Sequence, residues 1–420
     1  MRPTDALPHP EDWLTTTVGR SVELKRGVSW SKDQEHSELA PDRVPVIGIK
    51  NVQNRLDTTD MLYLSGLKPH SVEKTRVTAG WTVLVGSNGN RARIGNAVLV
   101  REDAEFLFAS FLLGTKPWAD SGLRPEYFFR WLSSEQVQAY LSASSEGTTG
   151  LSNLSHSFFR AMPIPVPPPD EQVAIARILD AVDTALERTR AAIERAREVE
   201  RAVLEDTFEN LDAPRLQLRD FITDVRYGTS KASSDRDWGN PVLRIPNVIG
   251  DRLALSDLAH VELPPSDVER LRLVDGDLLL VRTNGNPHYV GRSVVFRAPD
   301  SRTWVYASYL IRVRLKGGLL PELVNVYLGL EQGRRELLRR VTTSAGNHNI
   351  NSNSIRLLRL PVPANEDAQE RIVELSRASR SHLDALAAKV AALETLKKSL
   401  MHDLLTGRVR VRETSKVAAS

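Results

Sequence analysis

The strongest constraint in this sequence is that it is written twice. Gly80-Trp-Thr-Val-Leu-Val-Gly-Ser-Asn-Gly-Asn90 is matched 196 residues on by Gly276-Asp-Leu-Leu-Leu-Val-Arg-Thr-Asn-Gly-Asn286. At the same shift Asn51-Val52 falls on Asn247-Val248, Gly95 on Gly291, and Pro165-Val166-Pro167 on Pro361-Val362-Pro363. Ala109-Ser-Phe-Leu112 meets Ala307-Ser-Tyr-Leu310, and Gln172 with Ile175 meets Gln369 with Ile372, one or two residues off that shift. Chance does not hold one register over so much chain. Nearly all of the 420 residues form two copies of one unit, and any fold must be built from that duplication.

Each copy has the same internal order. It opens with short β-rich runs broken by Gly, Asn and Pro: 44–49, 82–85 and 97–100 in the first copy, 242–245, 278–281 and 293–296 in the second. A proline break follows, and then 39 residues free of Pro and Gly, 170–208 and 366–404. Leu179, Val182, Leu186, Thr189, Ile193, Ala196 and Val203 keep a three-and-four spacing in one segment. Ile372, Leu375, Ser379, Leu383, Leu386, Val390, Leu393, Leu396, Leu400 and Leu404 keep it in the other, which predicts two long amphipathic helices. Asp170 and Asn365 are the expected N-caps and Gly407 the expected C-terminal glycine. Each helix would be roughly 58 Å long and would need a partner for its apolar stripe, either a second copy of the protein or the other helix of the same chain.

If the two helices pair antiparallel within the chain, the β-rich modules stand at opposite ends of a rod and share an approximate two-fold axis. Such a molecule suits a ligand that is two-fold and periodic. Duplex DNA presents its half-sites about 34–36 Å apart per turn. Composition agrees, although weakly: 56 basic residues against 53 acidic give a net charge of +3, and the helical segments are acidic, so the positive excess lies outside them. The absence of cysteine excludes disulfides and thiolate metal sites. No apolar run approaches the ~20 residues of a membrane span, and a cytoplasmic protein is expected.

Three catalytic readings fail on the residues. Asn286-Pro287-His288-Tyr289 approaches the Asn-Pro-Pro-aromatic loop of amino-methyltransferases, but the first copy has Asn90-Arg91-Ala92-Arg93 there, and no Gly-rich cofactor loop precedes either. Gly86-Ser-Asn-Gly89 lacks the Gly-Lys-Ser/Thr of a P-loop. Pro41-Asp42 leads only to Gly48-Ile49-Lys50, not to a nuclease core, and the nine histidines show no metal-ligand spacing. The expectation is a chain with no chemistry of its own, no cofactor and no metal.

The candidate DNA contacts are the polar and basic residues of the repeated loops. After the central strand these are Ser87, Asn88, Asn90, Arg91 and Arg93 in the first copy, and Arg282, Thr283, Asn284, Asn286, His288 and Tyr289 in the second. Arg and Asn can make paired hydrogen bonds to guanine and adenine edges; the Asn-Gly pairs read equally well as plain turns. Before the prolines, a second pair of loops carries Thr148, Thr149 and Asn153, and Asn347, His348, Asn349 and Asn351. Lys50, Asn54, Arg55, Arg244 and Asn247 are weaker candidates for phosphate contacts.

Two stretches carry a resemblance. Pro163-Ile-Pro-Val-Pro-Pro-Pro-Asp-Glu-Gln172, leading into the first helical segment, and Leu396-Lys-Lys-Ser-Leu-Met-His-Asp-Leu-Leu-Thr-Gly-Arg-Val-Arg-Val411, closing the second, are similar to the junction and terminal patterns of the specificity subunits of type I restriction–modification systems. The resemblance spans nearly the whole chain. It implies an α+β fold of two tandem repeats, each a β-rich target-recognition domain (1–169 and 209–365) followed by a spacer helix (170–208 and 366–406), with the helices paired as an antiparallel coiled coil and a tail at 407–420. It also implies a subunit that reads a bipartite, asymmetric target on double-stranded DNA and assembles with two methyltransferase subunits and, in the full nuclease, two restriction subunits. The second junction departs from the pattern: Pro361-Val-Pro-Ala-Asn-Glu-Asp-Ala-Gln369 has neither the proline run nor the adjacent Glu-Gln pair, which leaves the start of the second helix open. The rival readings are a fused adenine methyltransferase and recognition enzyme, and a structural coiled-coil adaptor.

Overall fold

The computed structural model describes residues 8–53, 55–145, 150–248, 252–344 and 346–411. The chain divides into two compact units, Met1–Thr189 with Lys389–Ser420, and Arg190–Ala388. The division therefore falls inside the two long helices, Pro169–Glu209 and Glu366–Leu405.

In the first unit a four-stranded antiparallel sheet has Leu112–Pro117 and Thr82–Val85 at its centre, flanked by Val22–Arg26 and Ala97–Leu99. A second sheet contains Val44–Ile47, paired antiparallel with Leu62–Leu64 and parallel with Leu107–Phe108. Leu14–Thr17 pairs antiparallel with Pro163–Val166, fastening the start of the module to the strand that leads into the first long helix. The central strand Thr82–Val85 is wholly buried, which explains its unbroken apolar run. Val83, Val85, Val98, Tyr127, Phe128 and Trp131 form its main core.

The second unit repeats this plan. Leu310–Leu315 and Leu278–Val281 are flanked by Ile222–Tyr227 and Ser293–Val295. Asn240–Leu243 pairs antiparallel with Ala259–Val261 and parallel with Val305–Tyr306, and Arg215–Gln217 pairs with Arg359–Pro361. The six β runs expected from the sequence are all strands, within two residues at each end. Identical residues recur where the backbone allows no alternative. Gly95 and Gly291 sit at φ +90° and +72°, and a Cβ at either would strike Leu141 or Leu337. Asn51 and Asn247 close equivalent loops: each side chain accepts the backbone N–H three residues back, Gly48 or Arg244, and donates to carbonyls further on.

The long helices run in opposite directions. In the first unit Ile175 and Leu179 of the first helix share a core with Leu404 and Leu405 of the second. In the second unit Leu204 and Phe208 share one with Ile372 and Val373. The stripe leaves the expected register in places. Val203, Leu375 and Leu396 face outward, while Leu204, Ser376 and Lys397 take the inward positions. A straight helix turns every 3.6 residues, so a strict three-and-four pattern drifts around it, and spacings of four (196, 200, 204, 208) restore the seam. Lys397 is used there: its ammonium lies 2.7 Å from Asp183.

The helix starts also refine the expectation. Pro169, not Asp170, opens the first helix, as suits a residue without an N–H at the first helical position. Asn365 caps the second, accepting from Asp367 N at 2.8 Å. Gln369 settles where that helix is anchored. Its side-chain oxygen accepts from Leu320 N, and its amide donates to Gly318 and Pro363 carbonyls. Gln172 does the same with Arg124 N, Gly122 and Pro167, so the missing prolines do not alter the junction.

Candidate nucleic-acid interface

The two groups of loop residues that lie far apart in sequence meet in space. In the first unit Ser87 and Asn88 form a short antiparallel ribbon with Asn153 and Ser152, and Ser87 Oγ donates to Asn153 Oδ1 at 2.7 Å. In the second, Thr283 and Asn284 pair with Asn349 and His348, and Thr342–Ser344 extends the ribbon on the far side of Asn347–Asn349. Each ribbon starts where the buried central strand runs out of the core. Apolar burial holds its base, and its tip carries short polar side chains. His348 Nδ1 and Thr343 Oγ1 lie 3.1 Å apart along it.

The asparagines do local work as well. Asn88 Oδ1 accepts from Asn90 N, and Asn90 Oδ1 from Ala92 N; Asn284 and Asn286 repeat both bonds, with Asn286 N and His288 N as donors. These are Asx turns, so the turn reading holds for their carbonyl oxygens. Asn351 is the N-cap of the helix Ser352–Arg356, accepting from Ser354 N, and Asn349 Nδ2 donates to Asn347 O.

The arginines divide sharply. Arg91 is turned onto the C-terminal end of the helix Glu135–Ala143: Nε donates to Ser142 O and Ser145 Oγ, and Nη2 to Ala143 O. Arg93 donates to Ile49 and Val52 carbonyls. Both therefore brace the loop. The second unit achieves the same bracing from the opposite partner: Arg334, on the helix Glu331–Leu338, reaches back to the carbonyls of Val290, Pro287 and His288. Arg282 differs. Its guanidinium donates to Ser308 O and lies 4.8 Å over the Tyr227 ring, and no carboxylate pairs with it among the described residues. Tyr289 carries Arg292 over its ring at 5.4 Å, and His288 is exposed.

Of the weaker candidates, Asn247 is 1% exposed and closes its loop; Lys50, Arg55 and Arg244 are paired with Asp60, Glu187 and Asp257. Thr148, Thr149 and Asn54 lie outside the described residues. Among the described residues no three His, Asp or Glu side chains converge as metal ligands, and no helix is long and apolar enough to cross a membrane.

Sequence reasoning missed several residues at the ribbons. Tyr227 ends an outer strand, and its hydroxyl accepts from Ser352 N at 3.1 Å. Arg26 ends the matching strand of the first unit. With Arg160 it flanks His156, whose proton affinity is lowered by burial and then by these two cations. The available signal was positional: these residues flank Gly27 and Gly228, where a Cβ would collide with the carbonyls of Ala109 and Ala307, so the strand ends are pinned beside the ribbon.

Comparisons with known proteins agree with this architecture. The family described as the type I restriction modification DNA specificity domain matches residues 10–195. The specificity subunit of the type I restriction enzyme EcoKI, from Escherichia coli strain K12, is 26% identical over 393 residues, covering 87% of this chain and 82% of that subunit. The StySPI specificity subunit of Salmonella potsdam is 24% identical over 419 residues, 96% of this chain and 89% of that one. A chain from a solved structure concerned with complex assembly and conformational transition of the type I restriction–modification system superposes with a TM-score of 0.60 at 16% identity, over 96% of this chain and 99% of the other. With its duplicated modules and antiparallel long helices, the chain is similar over nearly its whole length to the specificity subunits of type I restriction–modification systems, and residues 10–195 match their DNA specificity domain.

Proposed function

We propose that this subunit reads a bipartite, asymmetric sequence on double-stranded DNA and performs no chemistry itself, working in the cytoplasm. Residues 1–169 and 209–365 are the two readers, and 170–208 and 366–406 the spacer helices that set the distance between half-sites. What supports this most is the ribbon built twice on one backbone plan with different side chains: Ser87, Asn88 and Asn153 against Thr283, Asn284, Asn347, His348 and Asn349. Equal scaffolds with unequal tips suit two half-sites of different sequence. Phosphate contacts fix register and groove contacts specify bases. Two methyltransferase subunits, and two restriction subunits in the full nuclease, act on the DNA so positioned. Arg91 and Arg93 serve the readers as braces, whereas Arg282 is the arginine best placed for a base edge.

The test is to sequence methylated positions genome-wide in cells carrying the complete system, with and without this chain. A motif of two unlike half-sites with a fixed gap, lost when the chain is absent, is expected. A single contiguous motif would contradict the two-reader account. A fused methyltransferase would bind labelled S-adenosylmethionine as a purified chain, which the proposed subunit does not.

A further inference from the structure

Ala109-Ser110-Phe111-Leu112 and Ala307-Ser308-Tyr309-Leu310 occupy the same turn in the two units. On either side the chain is deep in the core: Phe108 and Leu112 in one, Tyr306 and Leu310 in the other, all buried. Between them the ring stands in water, with Phe111 50% and Tyr309 58% exposed. One exposed aromatic is ordinary. An aromatic expelled from the core at the same point of both modules is not.

The turn is tied to the candidate interface through the backbone. Gly86 N and Ser87 N both donate to Phe111 O, at 2.9 and 3.0 Å, and Arg282 N donates to Tyr309 O at 2.8 Å. The ring is thus held at the base of the ribbon while its side chain is left outside. Arginines lie on the chain that borders each turn. Leu113, two residues after Phe111, pairs with Arg26, and the charges of Arg26 and Arg160 both act on His156 beside them. Ile311, two residues after Tyr309, pairs with Tyr227, on which Arg282 is stacked. Among the described residues no carboxylate pairs with Arg26, Arg160 or Arg282, nor does any protein group bond the Tyr309 hydroxyl. An exposed ring on a turn bordered by arginines that have no carboxylate partner suits a groove lined by phosphates better than an apolar protein surface.

We propose that Phe111 and Tyr309 are specificity-determining residues, one for each half of the target, that enter the DNA groove and read it by ring contact. This rests on the two-reader assignment above and adds to it residues outside the ribbon tips. Phe111 can offer only an apolar face, suited to a thymine methyl or a base step it wedges. Tyr309 adds a hydroxyl that can hydrogen-bond a base edge, so the same turn reads differently in the two halves.

The test uses the assembled complex with its methyltransferase partner, comparing the wild type with Phe111→Ala, Tyr309→Ala, and the exchanges Phe111→Tyr and Tyr309→Phe. Methylation motifs are read from cells, and duplex affinity from purified complexes. Phe111→Ala is expected to relax one position of one half-site, with about tenfold weaker binding to the intact target, and to leave the other half-site unchanged. Tyr309→Ala should do the converse, and the two exchanges should alter preference at those same positions. Because both rings are exposed, melting should not move. Motifs identical to wild type in all four variants would overturn the proposal, as would weakening that is uniform over all sequences. A wild-type complex that yields no bipartite motif would instead bring down the two-reader assignment.

Discussion

Arg410 grips Glu171 with two nitrogens, Nε to Oε1 and Nη2 to Oε2, each at 2.8 Å. Glu171 lies in the first turn of the first long helix, and its side chain is 3% exposed. Trp13 Nε1 and Val411 N donate to the same carboxylate, and Asp12 accepts from Arg410 Nη1 and Nη2. The chain just beyond the second long helix is thereby locked to its own N-terminal segment and to the start of the first helix. Arg410→Ala leaves a buried carboxylate with its strongest partner gone. It should destabilise the first unit by about 2 kcal/mol, whereas Arg410→Lys, which keeps the charge without the fork, should recover only part. Chemical unfolding of the full chain measures both.

Gln172 and Gln369 make the same three hydrogen bonds at the two junctions, and both are buried. Replacing either by Ala orphans a backbone N–H and two carbonyls. Each change should cost about 2–3 kcal/mol, in separate units. Hydrogen exchange should therefore show protection lost around 122–124 in Gln172→Ala and around 318–320 in Gln369→Ala. Loss spreading equally through both units in either variant would contradict their separate anchoring.

Asp183 is pushed up by burial, but hydrogen bonds and charge from Lys397 and Arg130 outweigh this and hold its carboxyl below the ordinary 3.8. Because the folded value is depressed, its contribution is fully present above the unfolded carboxylate range and is lost as pH falls through the lower, folded value. Stability should thus fall in acid more steeply in the wild type than in Asp183→Asn, whose advantage or deficit no longer depends on this proton. Thermal melts of the two proteins from pH 6 down to pH 3 give the comparison.

Arg282 holds one carbonyl, Ser308 O, and its guanidinium is otherwise poised over the Tyr227 ring without a carboxylate partner among the described residues. Arg282→Ala should weaken binding to the cognate duplex by about 1–3 kcal/mol and relax a single position of one half-site. Arg91→Ala should act otherwise: losing the brace on Ser142 and Ala143 should lower stability without changing which bases are read. Competition binding against single-base variants of the target separates these outcomes.

Much of this was legible in the sequence because duplication filters it. Residues identical in both copies, such as Gly95 and Gly291 or Asn51 and Asn247, proved to be positions where the backbone leaves no choice. Central strands and long helices were readable because their burial is regular. The joining of 87–88 with 152–153 was not, since nothing local encodes which loops meet across 65 residues of chain. The arginines' partners were not legible for a related reason: a side chain rich in donors looks the same whether it faces carbonyls, as Arg91 and Arg93 do, or water. Nothing in the sequence marks Phe111 and Tyr309 as exposed, and only the buried residues on either side reveal that the turn ejects them. The helix stripe was misread at Val203 and Leu396 because counting in threes and fours does not follow the slow drift of a 3.6-residue turn.

Under the function proposed above, the long helices set the gap between the two half-sites. Removing one turn from both long helices, and sequencing the methylated motif in cells carrying that complex, tests it most directly. The account predicts both half-site sequences retained with a shortened gap; an unchanged gap with methylation intact would contradict it.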